Sequence, residues 1–185
     1  MRVFTNQEMR ECLSRFPELH CEDKHLEFSH SQARKILIDL RLPEPHQLVF
    51  LARRAASLFC DEQHFRSAYL WVTQIGVWDA NVEGVALSVL ERYRQASGEN
   101  RSLNVAPGHL FRPDEFLDSV GCLVQPMLVG WDAYYIPEAA DGALEYFVFV
   151  NHDSFIDIET RTDESYEKAM KVLGELKWVK IDHGQ

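Results

Sequence analysis

The side chains most able to bind a ligand or take part in a reaction lie in one acidic and aromatic segment, residues 131–167. It carries ten acidic side chains and a single basic one, Arg161, so it accounts for −9 of the chain's net charge of −10. The acids are Asp132, Glu138, Asp141, Glu145, Asp153, Asp157, Glu159, Asp163, Glu164 and Glu167. Eight aromatic residues are interleaved with them. Such a surface repels phosphate backbones and anionic lipids and attracts cations or basic protein surfaces.

The same segment contains residue types that can hold a divalent metal ion. His152 and Asp153 are followed by Asp157 and Glu159, and imidazole and carboxylate ligands suit Mn, Mg or Zn. The alternative is a hairpin turn whose Asn and Asp side chains bond the local backbone beside a solvated acidic strand face. The spacing alone leaves both interpretations open.

Other catalytic and metal-binding motifs are weak. Cys60 and His64 stand four residues apart, and the spacing of the N-terminal cysteines and histidines matches no compact zinc module. Those residues are Cys12, His20, Cys21 and His25. The chain has no GxSxG elbow and no Gly-rich phosphate loop, so a serine nucleophile and nucleotide binding are disfavoured.

The composition of the chain predicts the cellular compartment of the protein. No run approaches the roughly 18 to 20 apolar residues of a membrane span, and the first ten residues lack the apolar core of a signal peptide. Four cysteines without a CxxC pair then predict reduced thiols rather than a disulfide framework. We expect a cytoplasmic protein that binds neither membrane nor nucleic acid.

The elements that must position these residues follow from periodicity and capping. Helices are predicted throughout residues 1–62. Thr5 and Glu8 form one capping box, and Ser29 and Gln32 form a second one ahead of an apolar i, i+3, i+4, i+7 pattern. Pro45 is predicted to open a third helix.

Residues 63–180 alternate between the two kinds of element. Aromatic and β-branched residues predict a strand within 68–78, and three more strands follow at 132–136, 144–150 and 155–159. The last two are joined by a hairpin turn at 151–154, and the acids of the last strand alternate with isoleucines on its other face. Helices are predicted from about residue 80 to Gln95, from Pro113 to Pro126, and after the cap Thr162. A loop is predicted at 99–112.

This order of elements predicts an α+β fold. We expect a mainly antiparallel sheet of about four strands with helices packed on one face, because short turns join the consecutive strands. Residues 1–185 are predicted to form a single domain, with a helical N-terminal region (1–62) and a sheet-containing region (63–180).

Three segments also resemble a known group of sequences: residues 106–111 (APGHLF), 130–137 (GWDAYYIP) and 146–153 (YFVFVNHD). They are similar to segments of a group of small bacterial proteins of uncharacterised function. The resemblance spans roughly residues 68–159 and implies a bacterial origin and a mixed α and β fold. It implies no activity and no catalytic residue.

Two functions follow from the residues. The first is a non-enzymatic binding protein that recognises a basic protein partner through the acidic aromatic surface and needs no cofactor; immunity proteins that neutralise basic toxins are an analogy. The second is a small metal-dependent hydrolase near the 151–154 hairpin, with His109, Asp132, His152 and Asp153 around one ion. Of the two, the first is preferred. The predicted binding residues are His109, Trp131, Asp132, Tyr134, His152, Asp153, Asp157 and Glu159.

Overall fold

The predicted α+β fold is present, with a larger sheet than expected. The computed structural model describes residues 1–29, 32–41, 43–59, 64–75, 80–139 and 141–182, without the side chains of 80–83 and 182. The strands in this part of the chain are β1 Arg2–Phe4, β2 Leu19–Glu22, β3 His25–Phe28, β4 Arg34–Asp39, β5 Ser67–Gln74, β6 Gly108–Phe111, β7 Asp132–Glu138, β8 Tyr146–Asn151, β9 Phe155–Thr160 and β10 Ile181–Asp182. The α-helices are α1 Asn6–Leu13, α2 Pro45–Ala56, α3 Ala80–Ala96, α4 Phe116–Val129 and α5 Asp163–Gly174.

One antiparallel sheet organises the molecule. Its strand order is β1-β6-β5-β7-β8-β9-β4-β10, in which the two-residue β10 extends seven longer strands. β2 and β3 form a separate hairpin. The three consecutive strands predicted in the C-terminal third, β7, β8 and β9, are therefore confirmed as neighbours near the middle of this sheet.

The two faces of the sheet are covered differently. Because side chains alternate along a strand, one face presents residues such as Leu70, Val148 and Ile158 to a core shared with α2, α3, α4 and α5. The other face presents Trp71, Tyr134 and further residues to a smaller core under α1 and the β2–β3 hairpin. We call these the helix face and the hairpin face. Helices thus pack on both sides of the sheet, and not on one as predicted.

The prediction of a helical N-terminal third is wrong. The segment after Ser29 forms β4, and the predicted capping box there caps no helix among the described residues. Ile36 and Ile38 enter the helix-side core at period two, while the apolar residues of this segment fit a helical period equally well. Pairing with β9 over six residues decides the outcome.

The well-capped helices are confirmed. Thr5 and Glu8 form the predicted capping box of α1, Pro45 opens α2, and the Thr162 side chain caps α5. Pro126 does not end its helix, because α4 continues to Val129 and closes on a left-handed Gly130. No helix in the described part of the chain is long and apolar enough to cross a membrane.

Candidate functional site

The ten acids of the 131–167 segment do not form one exposed wall. Glu138 and Glu159 are buried. Glu138 accepts hydrogen bonds from Arg15 and Ser67, and Glu159 accepts one from the Phe28 backbone N–H at 2.8 Å. These two carboxylates hold the hairpin side of the molecule to the sheet, so they are structural partners and not a binding surface.

Several other acids are neutralised by the chain's own cations. Glu145 pairs with Arg161, and Asp163 with Arg34 at 3.2 Å. Glu164 pairs with Lys168 one helical turn away. The expectation of a single uncompensated acidic surface is therefore corrected.

Two predicted binding residues lie in the cores. Trp131 is fully buried on the helix side, and its indole N–H has no acceptor in the described part of the chain. Tyr134 is 2% exposed on the hairpin face. Its hydroxyl lies 3.3 Å from His25 Nδ1 and accepts from the Leu26 backbone N–H. Burial also raises the pKa of Tyr134 to about 12. Neither ring is available to a partner.

His109 is buried in a polar pair that the sequence did not reveal. Arg94 donates to its Nε2 at 2.8 Å, so the imidazole proton resides on Nδ1, which faces the Leu70 carbonyl oxygen at 3.3 Å. Burial, with the nearby Arg94 charge, lowers the pKa of His109 to about 3. His109 is therefore a neutral structural histidine.

Asp132 and His152, by contrast, meet at the predicted hairpin. The Asp132 carboxylate accepts from the His152 backbone N–H at 2.8 Å and lies 2.9 Å from His152 Nδ1. Asp153 Oδ1 is 3.7 Å from His152 Nε2. The hydrogen bond to Asp132 raises the pKa of His152. The Asn151 side chain accepts from the Asp153 N–H, as in the turn interpretation.

The predicted metal ligands do not assemble. His109 pairs with Leu70, whose side chain lies on the helix face, whereas Asp132 lies on the hairpin face with Tyr134. In addition, β5 and β7 lie between β6, which carries His109, and β8, which His152 follows. No group of three or more His, Cys, Asp or Glu side chains within the described residues could hold a metal ion. Cys60, of the weak Cys60–His64 pattern, lies outside the described residues.

The hairpin face leaves one part of the sheet only half covered. Phe149 of β8, Asp157 of β9 and Leu37 of β4 lie side by side in register, and Phe155 follows on the same face. All four are partly exposed. We call these four residues the open patch. Its position follows from the strand order, because α1 and the β2–β3 hairpin cover neighbouring rows of the same face.

Asp157 is the unusual member of the open patch. Its carboxylate has no hydrogen bond or ion pair with the described residues, although it stands between two apolar side chains. Burial raises its pKa, while Lys35 lowers it and Glu159 raises it further. Lys35 is itself 3.2 Å from Glu159 Oε2. Asp157 is therefore a half-buried carboxylate that a cation from outside the chain could pair with.

Two other acid–aromatic pairs in this molecule already hold an arginine. Arg41 forms two hydrogen bonds with the Asp39 carboxylate and lies 5.0 Å from the centroid of the Phe155 ring. At the far end of β4, Arg34 reaches Asp163 and lies 3.7 Å above the Tyr166 ring. In both places an acid beside an aromatic ring binds an arginine side chain.

Sequence reasoning missed Arg94 as a buried residue. Its side chain is 1% exposed and donates to the Ala106 and Arg101 carbonyl oxygens as well as to His109. Its neighbours on α3 give a signal, since the buried Leu90 lies one turn earlier on the same helix face.

Comparisons with protein-family models, with curated proteins and with solved structures found no match. The resemblance to small bacterial proteins stays a prediction.

Proposed function

We propose that the chain is a non-enzymatic binding protein whose open patch receives an arginine or lysine side chain of a partner protein. The observation that carries the proposal is the half-buried Asp157 carboxylate, which has no ion pair with the described residues and lies beside Phe149. A partner's cation would satisfy this charge where the chain's own residues leave it unsatisfied.

The neighbouring Arg41 supports this assignment. It combines a two-point contact to a carboxylate with a position over an aromatic ring, and both interactions favour a guanidinium. Asp157 and Phe149 offer the same two chemical features one row along the sheet. Asp157 and Phe149 could therefore hold an arginine of a partner in the way that Asp39 and Phe155 hold Arg41.

The energetic argument also favours a cation. A charge-assisted hydrogen bond in a partly desolvated site contributes about 1.5–3 kcal/mol, and an arginine over an aromatic ring about 0.5–1 kcal/mol more. The net charge of −10 speeds the approach of a basic partner and opposes phosphate backbones and anionic membranes. We therefore infer a basic protein partner.

A panel of immobilised peptides tests the proposal. Each peptide carries one arginine or one lysine among neutral residues, and binding of labelled protein is measured at low and at moderate ionic strength. The wild type is compared with Asp157→Asn and with Glu167→Gln, which removes the same charge from an exposed position of α5. We expect Asp157→Asn to lose at least about tenfold in affinity and Glu167→Gln to lose little.

The outcome that contradicts the proposal is equally specific. If the peptides bind Asp157→Asn as well as the wild type, the open patch does not select the cation. If both variants weaken binding to the same small extent, net charge alone explains the attraction.

A further inference from the structure

A polar cleft opens at the end of β5, away from the open patch. It encloses about 240 Å³ between the start of α1, the end of β5 and the loop before β6. The residues that line it are Asn6, Lys24, Val72, Thr73, Gln74, Ile75, Leu103, Asn104 and Pro107. We propose that this cleft binds a small aliphatic carboxylate.

The charge of the cleft selects an anion. Lys24 is the one charged side chain among the described residues that line it, in a chain whose net charge is strongly negative. Its ammonium donates to the Thr73 carbonyl oxygen at 2.8 Å, which fixes it beside the cleft and leaves two N–H groups for a ligand.

A neutral donor faces the same space. The Asn6 side-chain oxygen accepts from the Trp71 indole N–H at 2.8 Å. Because the oxygen is engaged, the amide NH₂ of Asn6 is the group left for a ligand. Lys24 and Asn6 thus offer donors of the kind that a carboxylate accepts, and none of the described residues that line the cleft is a carboxylate that would compete for them.

The cleft is also lined by apolar residues, of which Ile75 is partly exposed. Val72, Leu103 and Pro107 are buried there, and the Val72 N–H donates to the Pro107 carbonyl oxygen. Arg94 fixes the loop by binding the carbonyl oxygens of Arg101 and Ala106. A cleft with prearranged walls loses less entropy on binding than one that must be ordered.

Size and polarity together define the ligand class. The volume is below that of pockets that take drug-sized molecules, so a monocarboxylate with a short alkyl chain fits. Its carboxylate would meet Lys24 and Asn6, and its chain would lie against the partly exposed Ile75.

Nuclear magnetic resonance with sodium butanoate tests the proposal, because the Trp71 indole N–H is a reporter hydrogen-bonded to the cleft itself. We expect saturable shifts of that signal and of the Lys24 and Asn104 backbone signals. Butan-1-amine, which has a similar chain and the opposite charge, is expected to produce none.

Three variants locate the site. Lys24→Gln removes the ammonium, and Asn6→Asp keeps the acceptor for Trp71 while placing a negative charge in the cleft. Each is expected to weaken butanoate binding at least about tenfold. Lys171→Gln removes an equivalent charge from an exposed position of α5 and is expected to leave binding unchanged.

Absence of a saturable shift with butanoate, equal binding of the amine, or full binding by Lys24→Gln would each overturn the proposal. Asp157 does not line the cleft, so these results are independent of those for the open patch. Folding of each variant is checked by its dispersed amide spectrum.

Discussion

His109 and His152 occupy opposite kinds of environment. His109 is fully buried on the helix face beside a guanidinium, and its pKa is lowered to about 3. His152 is 35% exposed at a hairpin beside the Asp132 carboxylate, and its pKa is raised. One residue type therefore has two protonation behaviours, which are set by burial and by the sign of the neighbouring charge.

The surroundings of His109 and His152 differ in whether their polar groups are used within the fold or can contact a partner. Around His109 every polar contact named above is internal, and the group holds β6, β5 and the preceding loop together. Around His152 and the open patch the side chains are partly exposed. Polar residues of the first kind contribute stability, whereas those of the second kind can meet a partner.

The largest effect is expected from Arg94→Met. It leaves three acceptors without their donor, two of them buried, so we expect the free energy of unfolding to fall by about 3 kcal/mol. Urea denaturation measures the change. Arg92→Met, two positions away on the exposed side of α3, is the matched control and should change stability by less than about 0.5 kcal/mol. Equal losses of stability in both variants would show that the buried hydrogen bonds of Arg94 do not stabilise the fold.

The second prediction concerns acid stability. His109 has a folded pKa of about 3 against an ordinary 6.5, so the unfolded chain binds a proton in that interval that the folded chain does not. Stability should therefore fall as the pH falls through this window, by about 2 kcal/mol between pH 7 and pH 5 from this residue alone.

Unfolding at several pH values measures this slope, and His109→Gln should reduce it. Because that variant also alters the buried pair, the imidazole signals of the wild type provide a second readout. A wild-type His109 that titrates near its ordinary pKa would refute the assignment.

Asp157→Asn is expected to have a smaller effect of opposite sign. Burial raises the pKa of Asp157, so its ionised form is unfavourable in the folded state. Removing the charge should increase stability near neutral pH by up to about 1 kcal/mol while weakening binding. Thermal denaturation of this variant beside Glu167→Gln checks it. A clear loss of stability would indicate that the carboxylate has a stabilising role.

The smallest effect is expected at His152. Its raised pKa means that the pair with Asp132 stabilises the fold at low pH and that this contribution is lost as the pH rises through the folded pKa. In Asp132→Asn the pKa of His152, followed by nuclear magnetic resonance, should return toward its ordinary value. An unchanged titration would show that the carboxylate does not govern it.

The predictable part of the fold was local. Capping boxes, an N1 proline and alternation within β9 identified α1, α2, α5 and the C-terminal hairpin because neighbouring residues determine them. β4 was unpredictable for the opposite reason: Ile36, Leu37 and Leu40 fit either period, and a distant strand decides between them. β6, within a predicted loop, likewise depends on β1 and β5.

The site was predictable to the same extent. Asp132 and His152 were proposed together and do meet. Sequence showed that Asp157 lies opposite Ile156 and Ile158, but could not show that Glu159 is covered by the hairpin and Asp157 is not. That difference depends on where β2 and β3 pack. The cytoplasmic location, the partner and the bacterial origin stay predictions.

The pairing of β4 with β9 has a consequence for synthesis. Thr160 follows Arg34 by 126 positions and bonds its carbonyl oxygen. At ribosomal rates of about 5–20 residues per second, β4 waits about 6–25 s for its partner strand. During that interval its bonding edge is open to other nascent chains, so yield in the cell should depend on how quickly chaperones shield this segment.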